Sequence, residues 1–292
     1  METLSMQATE QTKNPVKQIV MTSPASFGVQ YEINPWMTGN EGQIDVTLAV
    51  QQWSNLRNAL LHVNADVVVM PKPPENCPDA VFTANAGIIY QGKFFPSHFR
   101  FPERQAEEPY FIDWFREHGF DVVIKELEAG RDVASFEGAG DALLDRHTGI
   151  LWYGHGFRST LSFKPVLDEF YSGTGIQVKP VRLTDPRWYH IDTAFCPLDN
   201  GMVLWYPPAF DMYAEGAIVD VYGHNAISVT EEDALAFACN AVSVGDNLVL
   251  PLISDHLRDR LVERGINPIQ IDLSQYKKSG GSAKCLTIEV NE

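Results

Sequence analysis

The chain has 292 residues, 45% of them hydrophobic, enough for one large domain or two ordinary ones with a real core. Its 38 Asp and Glu against 22 Lys and Arg leave a formal charge of −16, which speaks against nucleic acid as a partner and suits a cationic small molecule. No apolar run approaches the roughly 20 residues of a membrane span, so no membrane partner is expected.

Residues 1–15 are polar and lack the apolar core of a signal peptide, so they read as a disordered leader to a cytoplasmic protein. Residues 16–292 contain no Pro/Ser-rich linker and read as one catalytic domain. Cys77, Cys196, Cys239 and Cys285 are dispersed with no CxxC pair. They fit free thiols in a reducing compartment and offer no metal ligand set.

In chain order, residues 17–21 read as a strand. A polar loop with Asn34-Pro35-Trp36 follows, then a helix N-capped by Asp45 with Val46, Val50, Trp53, Leu60 and Val63 on one face. Val67-Val68-Val69-Met70 reads as a buried strand. From there a unit recurs about every 50 residues, a period typical of propellers and solenoids. Its hairpins begin near Val81, Phe136, His190 and Ala238, each followed by a helix and a further strand. In the first unit the helix runs from Glu107 to His118 and the strand over Val122-Val123-Ile124. A fifth unit opens at Lys284-Cys285-Leu286-Thr287, and the N-terminal strand is free to complete it. The expected fold is therefore α/β, a five-bladed propeller of repeated ββαβ units closed by the first strand. The polar residue opening each hairpin, Asn85, Asp141, Asp192, Asn240 and Cys285, is expected to face the axis.

Cys285 follows Gly280-Gly281, which allow close approach of a ligand. Taken alone, such a thiol reads first as a packing residue. It gains chemical meaning beside His190, whose imidazole titrates near neutral pH, and beside Glu137, Asp141 and Asp192 at matching points of other units. In a strand, His190 and Asp192 would point the same way. Carboxylates around a thiolate repel it unless a cation sits among them. A guanidinium fits, since its N–H fork pairs with carboxylates and its central carbon is electrophilic.

The segments Phe136–Asp141, His190–Thr193 and Gly280–Cys285 resemble the signature blocks of the guanidino-group-modifying superfamily, the amidinotransferase or pentein fold. That resemblance implies Cys285 as nucleophile, His190 as general acid/base and Glu137 as its partner, with a covalent thiouronium intermediate and no cofactor. It implies Asp192 as the grip on the guanidinium. Within the superfamily, Asn34-Pro35-Trp36, Pro78–Gly87, Glu103-Arg104-Gln105, Gly154–Ser159 and Tyr206–Asp211 resemble the arginine dihydrolases. These convert L-arginine and two waters to ornithine, CO2 and two ammonia. By that likeness Asn85, Asn34, Arg104, Arg158, Asp141 and Asp79 join the substrate-binding set, with the two arginines on the α-carboxylate. Asn85 stands where deiminases carry Asp; an amide that turns could hold both arginine and a citrulline-like product.

Arginine deiminase, a hydrolase of methylated arginines, an amidinotransferase and a non-catalytic binding propeller remain as alternatives, and a homo-oligomer is left open. Longer cyanobacterial members of the subgroup carry a further C-terminal domain, whose function is expected to be missing here.

Overall fold

The structure, a computed structural model, describes residues 16–125 and 130–290. The expected leader, residues 1–15, lies outside them. Strand β1 (Gln18–Thr22) leads through the helix Val46–His62 to β2 (Asp66–Met70), which pairs with it in parallel. The Asp45 carboxylate caps that helix, accepting from Leu48 N at 3.0 Å. Its buried stripe is Ala49, Trp53, Leu56 and Leu60. Val46 and Val50, expected on this face, lie at its solvent edge, 54% and 41% exposed. The stripe is centred one step round the helix, because Gln52 is drawn inward to bond Asp272 and Ser274.

The next unit pairs β3 (Gly87–Tyr90) antiparallel with β4 (Lys93–Pro96), then returns through the helix Glu107–Glu117 to β5 (Asp121–Val122), parallel to β4. Phe94 of β4 stacks on Phe115 of the helix with centroids 4.0 Å apart, which fixes helix to sheet. The third unit repeats the plan with β6 (Ala142–Asp145), β7 (Ile150–His155), the helix Lys164–Phe170 and β8 (Gln177–Arg182). The fourth has β9 (Phe195–Pro197), β10 (Val203–Trp205), the helix Met212–Tyr222 and β11 (Ala226–Ser228). The fifth has β12 (Val242–Val244), β13 (Asn247–Pro251), the helix Asp255–Glu263 and β14 (Asn267–Ile271). Strand β15 (Ile288–Glu289) then pairs antiparallel with β1 and completes the first unit. The result is five three-stranded sheets of one topology, a five-bladed α/β propeller. No helix among the described residues is long and apolar enough to cross a membrane.

Two expectations are corrected. The run from Val81 does not enter a hairpin directly: Pro78–Val81 and Thr83–Ala86 are single 3-10 turns, and β3 starts only at Gly87. The same turn stands before the inner strand at Gly138–Gly140 and at Ile191–Thr193. The strand expected over 122–124 is shorter and earlier, at Asp121–Val122, with Ile124 58% exposed.

These turns ring the axis and leave buried backbone groups that need partners. The axial side chains supply them from blade to blade. Asn85 Nδ2 donates to Glu137 O at 3.0 Å, and Ile191 N donates to Asp141 Oδ1 at 3.1 Å. Asn240 Nδ2 donates to Asp192 O at 3.0 Å, Cys285 N to Asn240 Oδ1 at 3.1 Å, and Ala84 N to Cys285 O at 3.0 Å. The circuit returns to its start, so the residues expected to face the axis also close it.

Candidate active site

The turn geometry separates two residues that strand alternation would have aligned. His190 stands at the N-cap of the 3-10 turn Ile191–Thr193 and Asp192 lies within it, and their side chains go to different partners: His190 to Glu137, Asp192 to Cys285. The site is built as two dyads at the inner ends of three blades.

In the first dyad, His190 Nε2 lies 2.8 Å from Glu137 Oε2. A carboxylate only accepts, so Nε2 carries the proton and Nδ1 keeps its lone pair. Arg158 Nη1 donates to the same Glu137 oxygen at 2.9 Å. Burial pushes the Glu137 carboxyl up, but Arg158, His190 and Arg104 outweigh it and hold it well below the usual range. Burial pushes the His190 imidazole down to about 4; Glu137 opposes this, and Arg158 and Arg104 reinforce it. Near neutral pH, His190 is therefore a neutral base. Gly138 takes a positive φ of +61°, and a Cβ there would meet Ala84 O at 2.8 Å, so only glycine lets the chain turn directly after Glu137.

In the second dyad, Cys285 Sγ lies 3.2 Å from Asp192 Oδ2 and 3.0 Å from Asn240 Nδ2. Burial and the neighbouring Asp192 charge hold the thiol well above its ordinary range. Burial likewise pushes Asp192 up to about 7, with Cys285, Lys284 and Asn240 pulling it down. The two groups share a proton, and the resting sulfur is a thiol. Glu137 Oε1 and Asp192 Oδ1 are buried acceptors with no hydrogen-bond partner. Buried carboxylate oxygens left in this way want a donor-rich cation.

The remaining expected residues cluster around these dyads. Asn85 is fixed at both ends: Nδ2 donates to Glu137 O, and Oδ1 accepts from Arg104 Nη1 at 2.8 Å. Turning the amide would set its N–H against a guanidinium and its oxygen against a carbonyl, so the expected turning amide is corrected to a fixed one. The guanidinium of Arg104 also grips Glu107 through Nε at 2.9 Å and Nη2 at 2.7 Å. Arg158 Nη2 donates to Ile33 O, and its plane lies 4.8 Å from the Phe101 ring and 4.7 Å from Tyr189. Both arginines expected on a substrate carboxylate are thus engaged by glutamates of this chain.

Asp141 accepts from Ser159 Oγ at 2.7 Å as well as from Ile191 N, which makes it a brace of the His190 turn. Asp79 ties Tyr31 OH (2.9 Å) to Ser279 Oγ (3.1 Å), and Asn34 Nδ2 donates to Ser279 O at 3.0 Å. These bonds pin the segment after β1 over the glycines before Cys285. Glu107 and Tyr189 are not anticipated by the sequence, and Asn240 is anticipated only as a residue facing the axis, with no chemical role. The i, i+3 spacing of Arg104 and Glu107 was an available signal for the first. Tyr189, whose hydroxyl donates to Gly280 O at 2.8 Å, had none.

A cavity of about 660 Å3 lies elsewhere, at the side of the ring lined by Lys17, Arg146, Asp199, Lys284 and Glu289; neither dyad lines it. Lys284 lines it while Cys285 faces the dyads, so consecutive residues serve opposite faces.

A sequence profile of the family described as N,N dimethylarginine dimethylhydrolase, eukaryotic, matches residues 24–292. The chain belongs to this family. The bifunctional arginine dihydrolase/ornithine cyclodeaminase ArgZ of Synechocystis sp. is 43% identical over 94% of this chain. The chain spans only 38% of that relative's length. The N(G),N(G)-dimethylarginine dimethylaminohydrolase of Mycobacterium tuberculosis is 36% identical over 94% of this chain and 86% of its own. The crystal structure of the ArgZ N-terminal domain, a Cys-to-Ser variant bound to substrate, superposes with a TM-score of 0.88 at 42% identity, covering 94% of this chain and 98% of that one. Membership places the dimethylarginine dimethylaminohydrolase family's fold on the propeller described above.

Proposed function

We propose that this family member is an arginine dihydrolase, hydrolysing L-arginine twice to ornithine, CO2 and two ammonia, with Cys285 as nucleophile. The observation that carries the reading is the pair of unpartnered buried carboxylate oxygens, Glu137 Oε1 and Asp192 Oδ1, beside a thiol. A guanidinium supplies N–H donors to both and sets its carbon against Sγ. Its positive charge also offsets Asp192, so the Cys285 proton can leave as substrate enters.

Thiolate attack forms a C–S bond at the guanidinium carbon. Expulsion of ammonia breaks a C–N bond, and the proton given up by Cys285 is the one delivered to it through His190. His190 then takes a proton from water, whose oxygen attacks the same carbon and breaks the C–S bond, leaving a ureido group. In the second cycle the thiolate attacks the ureido carbon and the second ammonia leaves; water then breaks the C–S bond to give a carbamate on Nδ, whose C–N bond breaks to release CO2 and ornithine. The likeness to the ArgZ N-terminal domain over 98% of its length supports arginine as substrate.

The second reading is hydrolysis of methylated arginine to citrulline, favoured by the M. tuberculosis relative. Isotope-labelled arginine and dimethylarginine should be incubated with the protein and the products identified by mass spectrometry. Ornithine with about two ammonia per arginine is expected, and none from Cys285→Ser; citrulline as sole product would overturn the dihydrolase reading. We further propose a cytoplasmic enzyme and one catalytic domain over residues 16–292; the cover of 94% of this chain and 98% of the ArgZ N-terminal domain supports the single domain.

A further inference from the structure

We infer that Asn240 is a catalytic residue of this site, its amide holding the Cys285 sulfur as thiolate and fixing its aim. The inference rests on Cys285 being the nucleophile. Asn240 precedes β12, is fully buried, and has three of its amide contacts on the axis. Oδ1 accepts from Cys285 N at 3.1 Å; Nδ2 donates to Cys285 Sγ at 3.0 Å and to Asp192 O at 3.0 Å.

A backbone N–H can only donate, so Oδ1 must face Cys285 N and both amide hydrogens must face sulfur and carbonyl. The amide has no freedom to turn. Its own carbonyl accepts from Lys284 N at 3.2 Å, so one residue grips the nucleophile's turn at two successive positions.

The partners of Sγ favour opposite protonation states, with the Ser282 backbone amide on the side of Asn240. Asp192 accepts and keeps the proton on sulfur; Asn240 donates and favours its loss. Of the other charged or titratable groups nearby, Tyr189 has a hydroxyl sensitive to the Cys285 charge, and Lys284, the residue before Cys285, acts on Asp192 from the opposite face. Neither is a hydrogen-bond donor to Sγ among the contacts described. When a guanidinium takes over Asp192, Asn240 Nδ2 and the Ser282 backbone amide are left to hold the thiolate, and Asn240 is the side chain among them. An asparagine does this without adding charge, whereas a lysine there would repel the substrate cation.

The test uses Asn240→Asp, which keeps the Oδ1 acceptor for Cys285 N and removes the donor to sulfur, with Asn240→Ala as second variant. Two readouts are measured: the pH profile of Cys285 alkylation by iodoacetamide, located by peptide mass mapping, and kcat and KM on arginine. We expect the alkylation midpoint to rise by about one pH unit or more and kcat to fall at least about tenfold, with KM within about threefold. An unmoved alkylation profile in a folded variant, or a rise in KM with kcat unchanged, overturns the inference. Failure of both variants to fold assigns Asn240 to stability and also overturns it. Alkylation does not need turnover, so it separates this inference from the reading it rests on. If Cys285→Ser is inactive and the profile is unmoved, only the role of Asn240 falls.

Discussion

At Asp192 the chemistry and the stability of the protein pull in opposite directions. Its folded pKa is raised, from 3.8 to about 7, so its contribution is fully present below the unfolded value and is lost as pH rises through about 7. Above that pH the fold holds a buried carboxylate with one oxygen unpartnered, a cost that the proposed substrate cation would offset. Asp192→Asn should therefore be more stable than wild type at pH 8, by roughly 2 kcal/mol or about 5 °C in Tm, with the advantage shrinking as pH falls below about 7 and gone near pH 4. Thermal melts across that range decide it; a variant less stable at pH 8 would show the carboxylate to be a net stabiliser. For the same reason kcat/KM on arginine should rise with pH through about 7, since His190, pushed down to about 4, is already the free base there. Asn85 is the second residue whose substitution is informative. Asn85→Asp places a carboxylate where Nδ2 now donates to Glu137 O, while its other oxygen keeps Arg104. The donor that could meet a ureido oxygen is gone, so the product should shift toward citrulline. Ornithine at wild-type yield from this variant would remove Asn85 from the second hydrolysis.

The elements that carry the chemistry are 3-10 turns of three or four residues, and they were the least legible part of the chain. A turn this short has no period to detect, and its residues, such as Val81-Phe82-Thr83, have the composition of a strand. Strand alternation hence put His190 and Asp192 on one side, although the pairing of each with a separate partner is what divides acid/base work from the thiol. The ββαβ repeat, by contrast, was readable from hairpins and helices at regular spacing, because outer strands and helices are long enough to show their burial pattern. The axial residues Asn85, Asp141, Asp192, Asn240 and Cys285 were readable from their matching positions alone. What spacing could not give was which contacts they make: Asp141 as brace, Arg104 held by Glu107, and Asn85 unable to turn.

Gly140 tests the turn as an element. A Cβ there would stand 2.3 Å from Asn85 Nδ2 and 3.3 Å from His190 Nδ1. Gly140→Ala should fold, at a cost of about 1–3 kcal/mol for overpacking. It should displace Asn85 and lower kcat by roughly tenfold to a hundredfold, with a rise in the citrulline fraction. Normal kinetics with an unchanged product ratio would mean that the turn yields at no functional cost.

On the scale of the whole ring, closure depends on a two-residue strand, β15, which pairs with β1 across nearly the full length of the chain. Two residue pairs are a weak clasp, and Glu289 reinforces it. Its carboxylate lies 3.3 Å from Lys17 on the N-terminal side of β1, 3.0 Å from Arg146 after β6, and 3.4 Å from Lys284 beside the nucleophile. One carboxylate thus joins the two separate segments of the first blade to the blade of β6. Burial pushes the Glu289 carboxyl up, but Lys17, Lys284 and Arg146 outweigh it and hold it well below the usual range. A depressed folded pKa means stability that is present above the unfolded value, near 4.5, and is lost as pH falls below it. Glu289→Gln should cost about 2–4 kcal/mol at pH 7, because it leaves Lys17, Arg146 and Lys284 together with one carboxylate fewer. The variant's Tm should be lower by on the order of 5–10 °C, and the gap to wild type should narrow as pH falls from about 5 toward 3. Added salt should recover part of the loss by screening the three cations. A gap that stays constant across that pH range would assign the loss to packing and remove the ionic clasp from the account of ring closure.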